Sequence, residues 1–326
     1  MVEALEEGVK KYGLNVAASR LTSGSHILYQ RLEHSLKTFF TAPAALLVPT
    51  GYLTNLVLAQ ALAGNFSHAL IDEEAHPSLA DAAQLLECPL VRFKHLDIGE
   101  VVRSVRRCGS GARLLLLTDG LFSRDGSVAP LAEYFRVLPK DAWLLVDDAH
   151  GAGVLGSTGK GSLEHSGLPR DRIIQTITLS KAFGVYGGAI LGSISLRQNI
   201  LSRSRMFIGS TPLPLPLANA ALRGVRVLQS EGAGLRKRLQ ANTAYLRNAL
   251  QLTGLVFEQT PGPIITIVPD GPRHSAQLKR DLLRAKIYPP YVQYPGGPAI
   301  GCFRFAISSE HERSQLDRLA TVLKSK

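Results

Sequence analysis

Short apolar runs alternate with helix-patterned stretches through the middle of the chain, and this alternation constrains the fold more than any other feature. The runs fall at residues 69–71, 90–93, 114–118, 143–146, 173–178 and 189–192; helical patterns at 53–62, 78–86 and 98–107 lie among them. Strands that follow one another through a helix return parallel, because the crossover brings the chain back to the edge it left. Strands that are apolar throughout belong to sheets covered on both faces. The pattern predicts an α/β fold with a mostly parallel central sheet flanked by helices. Polar residues at the carboxyl ends of its strands are the candidates for chemistry.

The pattern changes after Pro212, Pro214 and Pro216. A long helix is predicted over 217–251, followed by a strand at 264–268, a helix at 276–285, a strand at 302–307 and a last helix opened by a capping box, Ser309 and Glu312. The expected division is a large α/β domain over residues 1–215 and a smaller α+β C-terminal domain over 216–326.

No charged residue lies between Lys37 and Asp72, a length that would cross a bilayer. Pro43, Pro49, Gly51, Asn55 and Gly64 break it, so it reads as strand, turn and buried helix. With 45% hydrophobic residues, 19% charged and three cysteines in 326 residues, disordered chains, coiled coils and disulfide scaffolds are excluded. Cys88, Cys108 and Cys302 form no CxxC and are expected as free thiols in a reducing, cytoplasmic setting. Glu3, Glu6 and Glu7 exclude a signal peptide at Met1. The net charge of +11 asks for an anionic partner. The cations are scattered, without interleaved aromatics, which argues against nucleic acid and leaves a polyanionic carrier molecule.

The densest signal is WLLVDDAHGAGVLG, residues 143–156. It holds a literal G-x-G-x-x-G after a strand, yet Asp147, Asp148 and His150 intervene and Ser157–Gly161 is a poor helix opening, so a dinucleotide site is disfavoured. Asp147 ends a buried strand, where a carboxylate is costly unless it meets a cation. It is either a structural cap or ion pair, or a group that holds a protonated heterocycle nitrogen. The second signal is TITLSKAFGVYGG, residues 176–188. Lys181 there is either a surface lysine or an amine made nucleophilic in a partly apolar pocket. Thr178, Ser180 and the following glycines have the make-up of a phosphate cradle.

Taken together, the strand–Asp–x–x–His and the later Ser–Lys resemble pyridoxal-phosphate enzymes of the aspartate aminotransferase type (fold type I), and more narrowly the α-oxoamine synthase family. SRLTSGSH (19–26), PTGYLTN (49–55), IDEEAHPSL (71–79), TDGLFSRDGSVAPL (118–131), VDDAHGAGVLGSTGKG (146–161), TLSKAFGVYGGAI (178–190), GSTPLP (209–214) and FRFAISSEHE (303–312) follow the family's order over nearly the whole chain. The resemblance implies pyridoxal 5′-phosphate as cofactor. Lys181 matches the lysine bonded to it, and Asp147 the aspartate that keeps its ring nitrogen protonated. His150 and Ser123 match groups near the ring hydroxyl, and His76 matches the histidine stacked on the ring. As a lone histidine, His76 would equally serve as a helix-end residue. Gly51, Tyr52 and Thr178 match the phosphate-holding residues. Ser210 and Thr211 match a stretch reaching the neighbouring subunit's cofactor, implying a homodimer with shared sites. Arg304 matches the arginine that grips the amino-acid carboxylate; without the motif it would read as a surface strand charge.

The implied reaction joins a small amino acid, L-alanine, to an acyl thioester, pimeloyl-CoA or pimeloyl-acyl-carrier protein. It yields an α-aminoketone, CO2 and free thiol, as in biotin biosynthesis. Another fold-type I reaction (2-amino-3-ketobutyrate CoA ligase-like, or aminotransfer) and a catalytically weakened member stay open. Several features depart from the family. Its members begin several tens of residues earlier, with a segment lining the substrate site. Ala17 and Ala18 stand where glycines are usual, and Asp119 where glutamate is commoner. Residues 288–301 are unusual, with Tyr291 near the substrate position where threonine is frequent, so the accepted acyl chain is expected to differ.

Overall fold

A computed structural model describes residues 1–252, 257, 259–294 and 297–324. Part of the unusual segment 288–301, residues 295–296, therefore lies outside the described residues. The chain forms two compact units, Met1–Leu121 with Ala129–Gly232, and Phe122–Val128 with Ala233–Lys326.

The first unit runs α1 (Val2–Tyr12), α2 (Ile27–Phe40), β1 (Ala44–Val48), α3 (Gly51–Leu62), β2 (His68–Asp72), α4 (Pro77–Gln84), β3 (Leu90–Phe93), α5 (Ile98–Cys108) and β4 (Leu114–Asp119). It continues through α6 (Leu131–Val137), β5 (Trp143–Asp147), α7 (Ser162–His165), β6 (Ile173–Thr178), β7 (Gly188–Gly192), α8 (Ile194–Arg203), α9 (Arg205–Gly209) and α10 (Leu215–Ser230). Its sheet has seven strands in the order β1-β7-β6-β5-β4-β2-β3. The pairs from β3 to β6 are parallel, and β7 runs against both β6 and β1. Asp119 pairs with Asp147 and Asp147 with Thr176, so the carboxyl ends of β4, β5 and β6 lie side by side.

The charge-free stretch supplies β1 and α3. Val57, Leu58, Ala59, Ala61 and Leu62 of α3 pack into a core with Leu46, Ile71, Leu115, Leu117, Leu145, Ile174 and Ile190 from the strands. A helix apolar on every side is stable when covered, and each buried leucine adds about 1.5–3 kcal/mol. Among the described residues no helix is long and apolar enough to cross a membrane. Arg20 of the SRLTSG motif pairs with the buried Glu33, whose Oε1 also accepts the Leu47 N–H at 3.0 Å. Ala17, standing where relatives use glycine, has φ 51°. That left-handed conformation costs an alanine roughly 1–2 kcal/mol.

The second unit contains nearly all of α11 (Gly232–Gln251), then β8 (Ile264–Ile267), α12 (Pro272–Arg284), β9 (Tyr291–Val292), β10 (Cys302–Ala306) and α13 (Arg313–Lys324). Its antiparallel sheet has the order β8-β10-β9, with Phe303 and Phe305 packed on Leu246, Leu278, Leu282 and Leu316.

Three expectations are corrected. The units divide after Gly232 rather than after 215, and Phe122–Val128 joins the second unit. The reason is that α10 belongs to the first unit's packing: Asn219 Nδ2 donates to Ala4 O at 2.7 Å, and Gly8 meets Pro216 so closely that a Cβ would lie 2.8 Å from its Cα. The single helix over 217–251 is two helices, because α10 ends at its C-cap Glu231. The last helix begins at Arg313, not at Ser309, and the Glu312 N–H donates to Gln315 Oε1 at 2.9 Å. Ser309 Oγ instead donates to Glu310, outside the helix.

Candidate active site

Asp147 closes β5 and is 6% exposed. Its Oδ2 accepts Asn55 Nδ2 at 2.6 Å and its Oδ1 accepts the Ala149 N–H at 3.0 Å. It therefore makes the turn after its strand, and no ion pair among the described residues. Asn55 is itself fixed: Nδ2 also donates to Ser78 Oγ at 2.9 Å, and Oδ1 accepts Thr176 Oγ1 at 2.8 Å. Ser78 Oγ stands 2.7 Å from His76 Nδ1. A polar chain thus runs from β6 through α3 and α4 to β5. His76 caps α4, its Nδ1 accepting the Ser78 N–H at 3.2 Å, so the helix-end role is real and coexists with a place beside Asp147. Burial, and then the Lys181 charge, hold the His76 imidazole below its ordinary value although Asp147 opposes them. The His76 N–H donates to Asp119 Oδ2 at 2.8 Å. Burial first and the Asp147 charge second push the Asp119 carboxyl well above the usual range.

Lys181 follows β6 and is exposed, the surface alternative of the two that the sequence left open; its Nζ lies 2.7 Å from His150 Nε2. Gly51 opens α3 directly against Thr178: a Cβ there would lie 2.7 Å from Thr178 Cβ and 2.8 Å from its Oγ1. Only glycine lets the start of the helix approach so closely. Thr50 caps α3 by accepting the Leu53 N–H at 3.1 Å, which leaves the first N–H groups of a 12-residue helix beside the Thr178 hydroxyl. Tyr52 donates its hydroxyl to Asp81 and sets its ring edge-on to His76, 6.0 Å between centroids.

The second unit holds Ser123, Tyr291 and Arg304, and the first holds Ser210 and Thr211. Arg304 Nε donates to the Ser123 carbonyl, so these two meet. Tyr291 donates to Ile300 O, packs edge-on to Phe303 at 5.2 Å, and carries Lys279 Nζ 3.7 Å over its ring. Ser210 and Thr211 follow α9, and the Ser210 hydroxyl turns back to Met206 O.

Sequence reasoning missed Asn55, Ser78 and Thr176, whose signal was polarity at positions that the predicted helix and strand bury. It also missed the role of Asp148. Burial pushes that carboxyl up to about 6, although Oδ2 accepts Ser162 N–H at 2.8 Å and Gln175 Nε2 at 2.6 Å. Below about pH 4 the group is protonated in folded and unfolded chains alike; between about pH 4 and 6 only the unfolded chain has released the proton. Asp148 therefore costs stability as pH rises through that window, and a constant amount above it. Relative to wild type, Asp148→Asn is expected to gain stability from about pH 4 to 6 and then level off, by an amplitude on the order of 2 kcal/mol. Urea unfolding midpoints at each pH read this directly, and a pH-independent difference would contradict it.

The donor chemistry suits pyridoxal 5′-phosphate. The Gly51–Thr178 approach makes a cradle that a Cβ would fill, with unspent helix N–H groups and a hydroxyl for a phosphate. The buried Asp147 carboxylate suits a protonated ring nitrogen, and Lys181 offers an exposed amine beside His150. The G-x-G-x-x-G at Gly151, Gly153 and Gly156 is followed by turns, with no helix until α7, so it offers no dinucleotide site.

Comparison with known proteins agrees. The family model of aminotransferase class I and II matches residues 3–323. An 8-amino-7-oxononanoate synthase of Thioalkalivibrio sulfidiphilus is 35% identical over 326 residues, spanning 99% of this chain and 83% of that protein. One from Ectopseudomonas mendocina is 37% identical over 330 residues, with 99% and 83% covered. Among solved structures, a serine palmitoyltransferase of Sphingomonas wittichii superposes with TM-score 0.94 at 26% identity, covering 99% of this chain and 82% of that one. An 8-amino-7-oxononanoate synthase of Francisella tularensis gives 0.84 at 25% identity, with 99% and 91% covered. The chain belongs to the aminotransferase class I and II family, and is a pyridoxal 5′-phosphate-dependent acyltransferase similar to 8-amino-7-oxononanoate synthase.

Proposed function

We infer that the chain condenses L-alanine with a pimeloyl thioester, carried on CoA or an acyl-carrier protein, to 8-amino-7-oxononanoate, CO2 and free thiol. It does so as a cytoplasmic homodimer, with Ser210 and Thr211 reaching the neighbouring subunit's site. The observation that carries the reading is the Lys181 amine 2.7 Å from His150 Nε2, in the same unit as a carboxylate buried at a strand end. The similarity to 8-amino-7-oxononanoate synthases selects among the reactions such a site supports.

When bound, the cofactor supplies an electron sink for the pairs released as the α-C–H and α-carboxylate bonds break. The residues of this chain do the rest. Gly51, Tyr52 and Thr178 would hold the cofactor phosphate, and His76 would cover the ring. Asp147 would keep a proton on the ring nitrogen; Asn55 and the Ala149 N–H fix the two carboxylate oxygens for that task. His150 would face the ring hydroxyl, the role that the family resemblance also gives Ser123. Lys181 Nζ takes the α-proton of the amino acid and later returns one to the same carbon. Its hydrogen-bond partner His150 orients the amine and takes up proton density at Nε2. Arg304 offers a planar fork to the amino-acid carboxylate until that group leaves as CO2, and Tyr291 lines the acyl side.

The test is CO2 release from L-alanine and each pimeloyl thioester by the cofactor-loaded chain, with serine and palmitoyl-CoA as the competing pair and 2-oxoglutarate as an amino acceptor. Release with alanine and pimeloyl thioester, at a kcat/KM well above that of the serine pair, is expected. Amino transfer to 2-oxoglutarate without CO2 would overturn the reading.

A further inference from the structure

α1, α2 and α10 enclose a groove of about 580 Å³ in the first unit. Its charged lining is Glu7 and Lys11 from α1, Arg31 and His34 from α2, and Arg223 and Arg226 from α10. In each helix the two residues stand three or four apart, so each pair shares one face. Lys11, Arg31, Arg223 and Arg226 are exposed, and none of the four makes an ion pair among the described residues. Four cations facing one carboxylate repel each other across the groove. Such a concavity concentrates positive potential and draws an anion from solution.

The kind of anion follows from what the groove lacks. Phosphate cradles use the open N–H groups of helix starts or glycine loops. Arg31, His34, Arg223 and Arg226 all lie within helices, away from the first turn, where backbone N–H groups are spent on the helix. Recognition here rests on long exposed side chains spread over three helices. That is how a charged rim steers and registers a protein surface.

We propose that this groove docks an acidic acyl-carrier protein, which delivers the acyl thioester to the chain. The docking role rests on the thioester reading given above, but its primary readout does not require turnover. Binding of phosphopantetheine-bearing acyl-carrier protein, without an acyl group, is measured by fluorescence anisotropy against the cofactor-loaded chain over a series of salt concentrations. Wild type is compared with Arg223→Glu/Arg226→Glu. The double reversal is expected to weaken binding about tenfold or more, and added salt to weaken the wild-type complex. KM for pimeloyl-acyl-carrier protein rises by the same factor, while kcat and KM with pimeloyl-CoA stay unchanged.

If the double variant loses kcat with pimeloyl-CoA, its fold is damaged and Arg31→Glu on α2 is read in its place, with the same expectation. Carrier binding that survives the reversal, or is absent from wild type, overturns the proposal. So does a matching rise in the KM for pimeloyl-CoA, which would assign the groove to a nucleotide polyphosphate. Groove-dependent carrier binding by a chain that condenses neither thioester sinks the condensation reading and supports the docking surface. Turnover of pimeloyl-CoA without carrier binding does the reverse.

Discussion

Replacing Lys181 by alanine is expected to abolish turnover, by at least about 10⁴-fold, because in the proposed mechanism one amine serves both as the covalent anchor and as the proton carrier. The loss is chemical rather than structural. Lys181 is exposed at the end of β6, so its removal leaves no cavity. The unfolding free energy in urea is expected to change by less than about 0.5 kcal/mol. The visible absorbance of the lysine-bound cofactor disappears, and dialysis removes the cofactor from the variant but not from wild type. His150→Asn keeps the anchor and removes the partner at Nε2. It is expected to retain the absorbance and lose roughly 10²-fold in kcat. Retention of the absorbance by Lys181→Ala would show that another amine is the anchor and would displace Lys181 from the mechanism.

Much of this was legible because the strands are uniformly apolar. β3 and β6 match their expected bounds, and β2, β4, β5 and β7 differ from theirs by a residue or two at the ends. Their carboxyl ends pointed to Asp147 and Lys181, and the motif order pointed to the family. What escaped was set by tertiary packing. The charge-free stretch gave its strand, turn and helix as β1 and α3, but not the bounds of β1, since an apolar run carries no period that fixes where a strand starts. β9 is two residues long and forms only by pairing with β10. The break at Glu231 is marked only by Gly232 and Gly234 at the start of α11, a weak signal when α10 carries Gly224 in its interior without ending there. The Ser309 capping box was a valid local signal overruled by the turn at Ser308–Glu310, where the Glu310 N–H donates to Ser308 Oγ at 3.1 Å. The supporting chain of Asn55, Ser78 and Thr176 was illegible because a buried polar residue looks the same in sequence whether it satisfies backbone or holds a functional carboxylate.

That supporting chain sets the second large effect. Asp147→Asn is expected to lower kcat by roughly 10²–10³-fold, the loss typical of one preorganised electrostatic group. Both oxygens of Asp147 accept: Asn55 Nδ2 at 2.6 Å and the Ala149 N–H at 3.0 Å. An amide at this position must turn its NH2 toward one of those donors, so the variant both loses the charge proposed to hold the ring proton and sets donor against donor in a buried place. Burying one unsatisfied polar group costs about 1–3 kcal/mol, so a modest fall in the unfolding midpoint accompanies the loss of turnover. Asn55→Asp/Asp147→Asn exchanges the two groups and restores a donor–acceptor pair. It is expected to recover the midpoint but not kcat, because the carboxylate then sits on α3 instead of at the end of β5. Recovery of kcat in the exchange variant would mean that the negative charge matters and its position does not, contrary to the role given to Asp147. The KM for thioester should stay near the wild-type value throughout, since the charge acts on the developing carbanion rather than on thioester binding.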